Sequence, residues 1–286
     1  MSPRQALRLD WRRGNVRNLR RAYERACRAT PAGAEWRMIE ADGRRIRLLV
    51  HEAEPPGSRA ILYFHGGGWM FGSPATHADI SGALGAATGL PVISVDYRLA
   101  PEHRAPAAIA DGLAALAYCR DAQFTSLILA GDSAGGALAL AVERAAAKCG
   151  ERIAGICSFY GAFGHVAAPR GRIGDGLDPL SVRRYWRAAN GSAGTGPYSI
   201  PALSDGPGCA VHLVIAGCDP LRDESIALAR ALSAKGRSVT IDMHPFEGHS
   251  FLQNPLARRA RETTYRTILR WMGGLDQPRA RPRSSP

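Results

Sequence analysis

Residues 128–140 read ILAGDSAGGALAL. An apolar run stops at Gly131, one serine stands between small residues, and a helix-like stretch follows. A serine hydroxyl becomes a useful nucleophile only when a base takes its proton and its oxygen is accessible. A strand that reverses directly into a helix meets the second condition. It forces the apex residue into a strained conformation and lifts its side chain off the sheet edge, beside the helix N-terminus. Small residues two positions either side avoid the clash, and Gly131-Asp132-Ser133-Ala134-Gly135 fits that G-x-S-x-G pattern. An ordinary strand–loop–helix junction also favours small residues. The catalytic reading therefore needs a base, an acid and oxyanion donors elsewhere in the chain.

Three other stretches carry those residue types. His65-Gly66-Gly67-Gly68-Trp69 directly follows the apolar AILYF (60–64). Glycines let backbone N–H groups approach an anion, and such donors stabilise the oxyanion of a tetrahedral intermediate. A phosphate cradle is the competing reading, but no G-K-[ST] follows. CDPLRDE (218–224) follows VHLVIA; Asp219 leaves the strand first and Pro220 starts the turn. Asp223 and Glu224 fall in the first turn of a helix, where carboxylates suit the dipole. Asp219, nearest the strand end, is favoured over Asp223 as the acid; a plain turn residue is its alternative role. EGHSF (247–251) places His249 in a loop, giving the chain order Ser133, Asp219, His249 found in α/β hydrolases. Glu247 points elsewhere if His249 faces the serine. His65 is read as bracing the glycine loop. His77, His103, His165, His212 and His244 have no comparable setting.

The elements that must hold these residues follow from periodicity. Residues 4–29 have helical spacing, with Leu7, Val16, Leu19, Tyr23 and Ala26 on one stripe among arginines. Residues 35–40 and 44–52 alternate around the Asp42-Gly43 turn and read as a hairpin. Short apolar strands are expected at 60–64, 91–95, 127–130, 153–159, 211–216 and 239–244. Helices are expected at 74–88, 104–120, 134–148 and 222–235, and a last one at 256–272. Strands alternating with helices imply βαβ units and a parallel sheet covered on both faces. Residues 161–208 break the rhythm, with many Gly and Pro residues and one short helical piece at 179–189. An insertion of that length suits a lid or binding wall. With the N-terminal helix it would cap the C-terminal edge of the sheet, where open α/β sheets carry their sites.

Composition excludes some classes. The chain has 286 residues, 45% hydrophobic and 22% charged, as expected of an ordinary globular protein. Net charge is +12, and nine arginines among residues 1–30 against Asp10 and Glu24 put +7 of it there. Basic ends on a nearly balanced centre read as solvated faces rather than a nucleic-acid site; no zinc spacing or helix-turn-helix pattern is present. No run approaches the roughly 18 apolar residues of a membrane span. The six cysteines are scattered, none as C-x-x-C, and read as free thiols of a reducing, cytoplasmic compartment. No apolar secretory segment is evident at the start; the Arg-rich stretch there reads as a first helix packed on the domain, with a transit peptide as the alternative. The Pro/Arg/Ser-rich tail, 275–286, reads as disordered.

HGGGW, DYRLAPEH (96–103), GDSAGG (131–136), DPLRDE (219–224) and GHSF (248–251) together resemble the hormone-sensitive-lipase family of α/β hydrolases, the bacterial family IV esterases. The resemblance runs in order over about residues 60–252. It implies an α/β-hydrolase fold: an eight-stranded, mostly parallel sheet flanked by helices. One domain over 1–274 would carry a small helical cap from about 1–34 and 161–208. It implies Ser133 as nucleophile, His249 as base and Asp219 as acid. Gly67, Gly68 and Ala134 would be the oxyanion donors, Gly66 would shape the loop, and Arg98 and Glu102 would brace nearby loops. Two departures, Ala105 before Pro106-Ala107 and a short chain with a reduced cap, bear on substrate size.

The expected reaction is hydrolysis of small, short-acyl esters through an acyl-enzyme, without metal or cofactor. Trp69, His65 and Asp132 are the neighbouring side chains expected to meet substrate. Arg170, Arg172, Arg183, Arg184 and Arg187 of the insertion could attract an anionic one, or form a solvated helix face. Edge strand 8 and the last helix could pair in a homodimer. An amidase such as an arylformamidase-like hydrolase would use the same machinery. A ligand-binding protein on the hydrolase fold, like the plant gibberellin receptors, would have lost the triad histidine.

Overall fold

Leu127 to Ala130 show how the centre is built. They are fully buried, and successive side chains go to opposite faces. Leu127 and Leu129 join one apolar cluster, Ile128 and Ala130 another. A strand buried on both faces reads as a continuous apolar run, because helices cover the sheet on each side. The computed structural model describes residues 14–27, 33–53, 57–164, 177–191, 195–205 and 208–275.

Strands β1 (Ala34–Ala41), β2 (Arg44–His51), β3 (Arg59–Phe64), β4 (Val92–Val95), β5 (Ser126–Asp132), β6 (Gly155–Phe159), β7 (Ala210–Ala216) and β8 (Val239–His244) form one sheet. Their order is β1-β2-β4-β3-β5-β6-β7-β8. The pairs β1–β2 and β2–β4 are antiparallel, and β3 to β8 run parallel. The helices are α1 (Val16–Cys27), α2 (Ala78–Thr88), α3 (Ala107–Asp121), α4 (Ala134–Lys148), α5 (Pro179–Asn190), α6 (Ile200–Ser204), α7 (Arg222–Ala234) and α8 (Arg258–Gly274). One face of the sheet is covered by α3, α4 and α7 through Leu116, Leu138, Val142, Leu228 and Leu232. The other is covered by α2 and α8 through Ile80, Leu84, Ile268 and Met272.

The expected strands and most helices are present, with three differences. The helix expected from 74 begins at Ala78, because Ser73 and Thr76 bond each other's backbone N–H groups and hold a turn there. The short α6 was not expected; it holds five residues, with Pro201 in its first turn, where a missing N–H costs nothing. The first helix is seen over Val16–Cys27; the rest of the expected 4–29 span is outside its bounds, and residues 4–13 and 28–29 lie outside the described residues. So do 165–176, with His165, Arg170 and Arg172, and the tail 276–286.

Candidate active site

Ser133 stands between β5 and α4 with φ 51° and ψ −118°. Positive φ is costly for a residue with a side chain. It is held here by three backbone bonds: Ser133 N–H donates to Phe159 O (2.8 Å), and Ser133 O accepts from Ala162 (3.0 Å) and Gly136 (3.1 Å). The turn also brings α4 against β3. A Cβ on Gly135 would collide with the carbonyls of Phe64 and His65, so only glycine fits.

His249 Nδ1 lies 2.8 Å from Asp219 Oδ2, and its Nε2 lies 3.0 Å from Ser133 Oγ. The carboxylate accepts from Nδ1–H, which leaves Nε2 as a lone pair facing the serine hydroxyl. All three side chains are buried or nearly so. Asp219 leaves β7 and is fixed by Leu221 N–H, which donates to its Oδ1 (2.8 Å). Asp223 instead pairs with Arg222 at the surface. The loops after β7 and β8 are tied by Gly217 N–H to His244 O (2.8 Å) and Cys218 N–H to Glu247 O (2.9 Å). The ring of Tyr160 stands edge-on to His249, 5.2 Å between centroids.

The register of β3 with β5, Phe64 opposite Gly131, sets the HGGGW loop beside the serine turn. Gly67 and Gly68 have φ of 111° and 61°. Met70 and Phe71 N–H donate to Gly67 O (3.1 and 2.9 Å), closing the loop on itself. Among the described residues no protein acceptor meets the N–H of Gly67, Gly68 or Ala134. Gly66 N–H is used, donating to Asp132 Oδ1 (2.8 Å).

The side chains expected to meet substrate are buried and engaged within the protein. Asp132 points away from the site into the protein: Oδ1 also accepts from Tyr63 OH (2.6 Å), and Oδ2 is 3.5 Å from His77 Nε2. Burial pushes its carboxyl up, but neighbouring His77 and the hydrogen bonds from His77 and Tyr63 outweigh this and hold it below the ordinary value. His65 is fully buried, stacked 4.2 Å from Tyr97, with Nδ1 bonded to its neighbour Gly66 O (2.8 Å). Burial, then His77, push its pKa down to about 3, so the ring is neutral. Both residues support the loop rather than line a surface. Trp69 is also buried, stacked on Tyr198 and edge-on to Trp186 of α5. Arg183 and Arg187 are exposed on α5, while Arg184 donates to Gly14 O (2.8 Å). Arg98 bonds Asp111 and Ala107 O, and Glu102 pairs with Arg20.

The sequence does not single out Arg20, gives His77 no distinctive setting, and marks Glu224 only as a first-turn carboxylate of its helix. Glu224, in the first turn of α7, accepts Phe163 N–H (2.9 Å); burial pushes its pKa up to about 7. Among the described residues no group of three or more His, Cys, Asp or Glu is placed to hold a metal ion. No described helix is long and apolar enough to cross a membrane.

The chain and its fold have counterparts in known proteins. Residues 61–253 match the family model of the α/β-hydrolase fold. An acetyl-hydrolase of Streptomyces hygroscopicus is 33% identical over 267 residues, 85% of each chain. A solved esterase of Pyrobaculum calidifontis superposes with a TM-score of 0.80 at 26% identity, covering 95% of this chain and 96% of that one. An esterase/lipase from an uncultured bacterium gives 0.80 at 25% identity, covering 95% and 96%. The class so defined is that of carboxylesterase-type hydrolases. The chain belongs to the α/β-hydrolase family, as the resemblance to its hormone-sensitive-lipase branch implied.

Proposed function

We propose that the protein hydrolyses small carboxylic esters with short acyl chains through an acyl-enzyme on Ser133. The reading is carried by the unbroken chain Asp219–His249–Ser133, at 2.8 and 3.0 Å, beside the glycine loop that follows β3. His249 takes the proton of Ser133 as its oxygen attacks the ester carbonyl. Asp219 holds the ring in the required tautomer and stabilises the imidazolium. The oxyanion rests on the N–H groups of Gly67, Gly68 and Ala134, which no protein acceptor competes for among the described residues. His249 then protonates the departing alcohol, and water repeats the sequence on the acyl-enzyme.

Substrate size follows from the helices over the loop. We assign α1 and α5 to a cap: Tyr185 and Trp186 of α5 pack on Phe71 and Trp69. Bulky rings that close to the oxyanion loop favour small acyl groups, in keeping with the acetyl-hydrolase relative. The six cysteines, all free thiols, support a cytoplasmic setting. Edge strand β8, with Ile241 and Met243 half exposed, supports a homodimer.

The test is hydrolysis of p-nitrophenyl acetate, butyrate, octanoate and laurate by the wild type and Ser133→Ala. Activity confined to the short esters, lost in the mutant by about 10⁵-fold or more, is the expected result. Faster turnover of laurate than butyrate would refute the size assignment. An active Ser133→Ala would refute the mechanism.

A further inference from the structure

Helix α1 meets the reaction loops through two side chains three residues apart, on one face. Arg20 Nε donates to Met70 O (2.7 Å), and Nη2 donates to Ala100 O (2.7 Å). The outer edge of the fork, Nη1 and Nη2, grips Glu102 at 2.9 and 2.8 Å. Met70 belongs to the turn that closes on Gly67, and Ala100 N–H in turn donates to Trp69 O (2.8 Å). One guanidinium thus fastens the oxyanion loop to the loop after β4. Tyr23 bonds the Gln253 side chain, at 3.2 Å from Nε2. Gln253 also donates to Thr76 O (3.3 Å), and its N–H donates to Ser250 O, next to His249.

A surface ion pair explains little of this. The Arg20–Glu102 pair is partly exposed, a setting in which such pairs contribute little. The two carbonyl bonds are different: they are part-buried, and both need the planar fork that arginine has and lysine lacks.

We propose that Arg20 is a positioning residue for the reaction. Through the Met70 carbonyl it holds the N–H groups of Gly67 and Gly68 in place, so that the N-terminal helix sets the quality of oxyanion stabilisation. This rests on the serine mechanism above. Oxyanion donors act in the transition state and little in the ground state, so their misplacement lowers kcat and leaves KM.

The experiment uses the full chain and p-nitrophenyl butyrate. Active sites are counted by a fluorophosphonate that labels Ser133, Tm is recorded, and affinity for an alkyl boronic acid, which forms a tetrahedral adduct, is measured. Arg20→Gln should lose about 10–100-fold in kcat per labelled site, with KM within about twofold, and lose boronate affinity in step. Arg20→Lys, which keeps the charge and gives a second route if Arg20→Gln does not fold, should still lose about tenfold or more. Glu102→Gln, which leaves both carbonyl bonds, should stay within about threefold of wild type. A folded Arg20→Gln or Arg20→Lys with wild-type kcat and boronate affinity, or a loss confined to KM or Tm, would overturn the proposal. A wild type that neither turns over nor labels at Ser133 would overturn the serine mechanism, and the brace with it.

Discussion

Asp132→Ala offers a strong test of how the proposed oxyanion loop is held. The carboxylate accepts two buried donors at one oxygen, Gly66 N–H at 2.8 Å and Tyr63 OH at 2.6 Å. Alanine leaves both without an acceptor, at about 1–3 kcal/mol each, so about 2–6 kcal/mol in all. A domain of this kind has about 5–15 kcal/mol in total. At about 2–4 °C per kcal/mol, Tm should fall by about 4–24 °C. Because Gly66 is the first glycine of the loop, the same change should loosen the donors at Gly67 and Gly68. A loss comparable to removing one oxyanion donor, about 10²-fold in kcat, is expected with KM little changed. Asp132→Asn keeps one carbonyl oxygen for both donors and should retain most of the stability. The assays are thermal unfolding and turnover per labelled serine. If Asp132→Ala keeps wild-type kcat despite a lower Tm, the bond to Gly66 does not position the loop and the reasoning fails.

Other expectations follow from the same geometry. Asp219→Asn should reduce kcat by about 10⁴-fold by presenting the wrong histidine tautomer, whereas Asp223→Asn should stay within about twofold; equal losses would mean that the acid is misassigned. Gly68→Ala should be poorly tolerated, since φ is 61° and the new methyl group would meet the Tyr185 ring. Restored activity in Gly68→Ala/Tyr185→Ala would separate the clash from the backbone strain. Glu224, raised from 4.5 to about 7, stays protonated in the folded protein while the unfolded chain has lost its proton. Its favourable contribution is therefore complete below pH 4.5 and lost as pH rises through 7, about 3 kcal/mol in all. The Tm advantage of Glu224→Gln should accordingly grow between pH 5 and pH 8; parallel Tm curves would count against it.

The strands and the residues at their ends were legible because a parallel α/β unit writes itself locally. LILAGDSAGG contains the strand, the turn and the helix start within ten residues. His65, Arg98 and Glu102 read as braces of the loops, but the partners that do the bracing were not legible. Arg20 reaches residues 50 and 80 positions away, and Asp132 reaches Gly66, 66 positions away. No periodicity marks such partners, and an arginine among nine in the first thirty residues carries no distinguishing signal. Asp132 and His65 were expected at the substrate because they neighbour the reactive residues in sequence. Asp132 ends β5 and His65 follows β3, and both side chains turn instead into the buried layer beneath the loop, toward Tyr63, His77 and Tyr97.

The proposed acid and base, Asp219 and His249, stand in the loops that follow the last two strands of the sheet, and these loops are joined by the bonds of Gly217 and Cys218, while Ser133 and the glycine loop arise from the middle. Half of the machinery is thus mounted on the rim and half on the hub. Local opening is easiest at sheet margins, where fewer neighbours must separate. Warming should then detach the histidine and aspartate together before the centre melts. Esterase activity would fade, and amides of β8 would exchange with solvent, at temperatures where β5 still protects its own. Such an enzyme loses its chemistry from the edge inward, and cooling restores it without refolding.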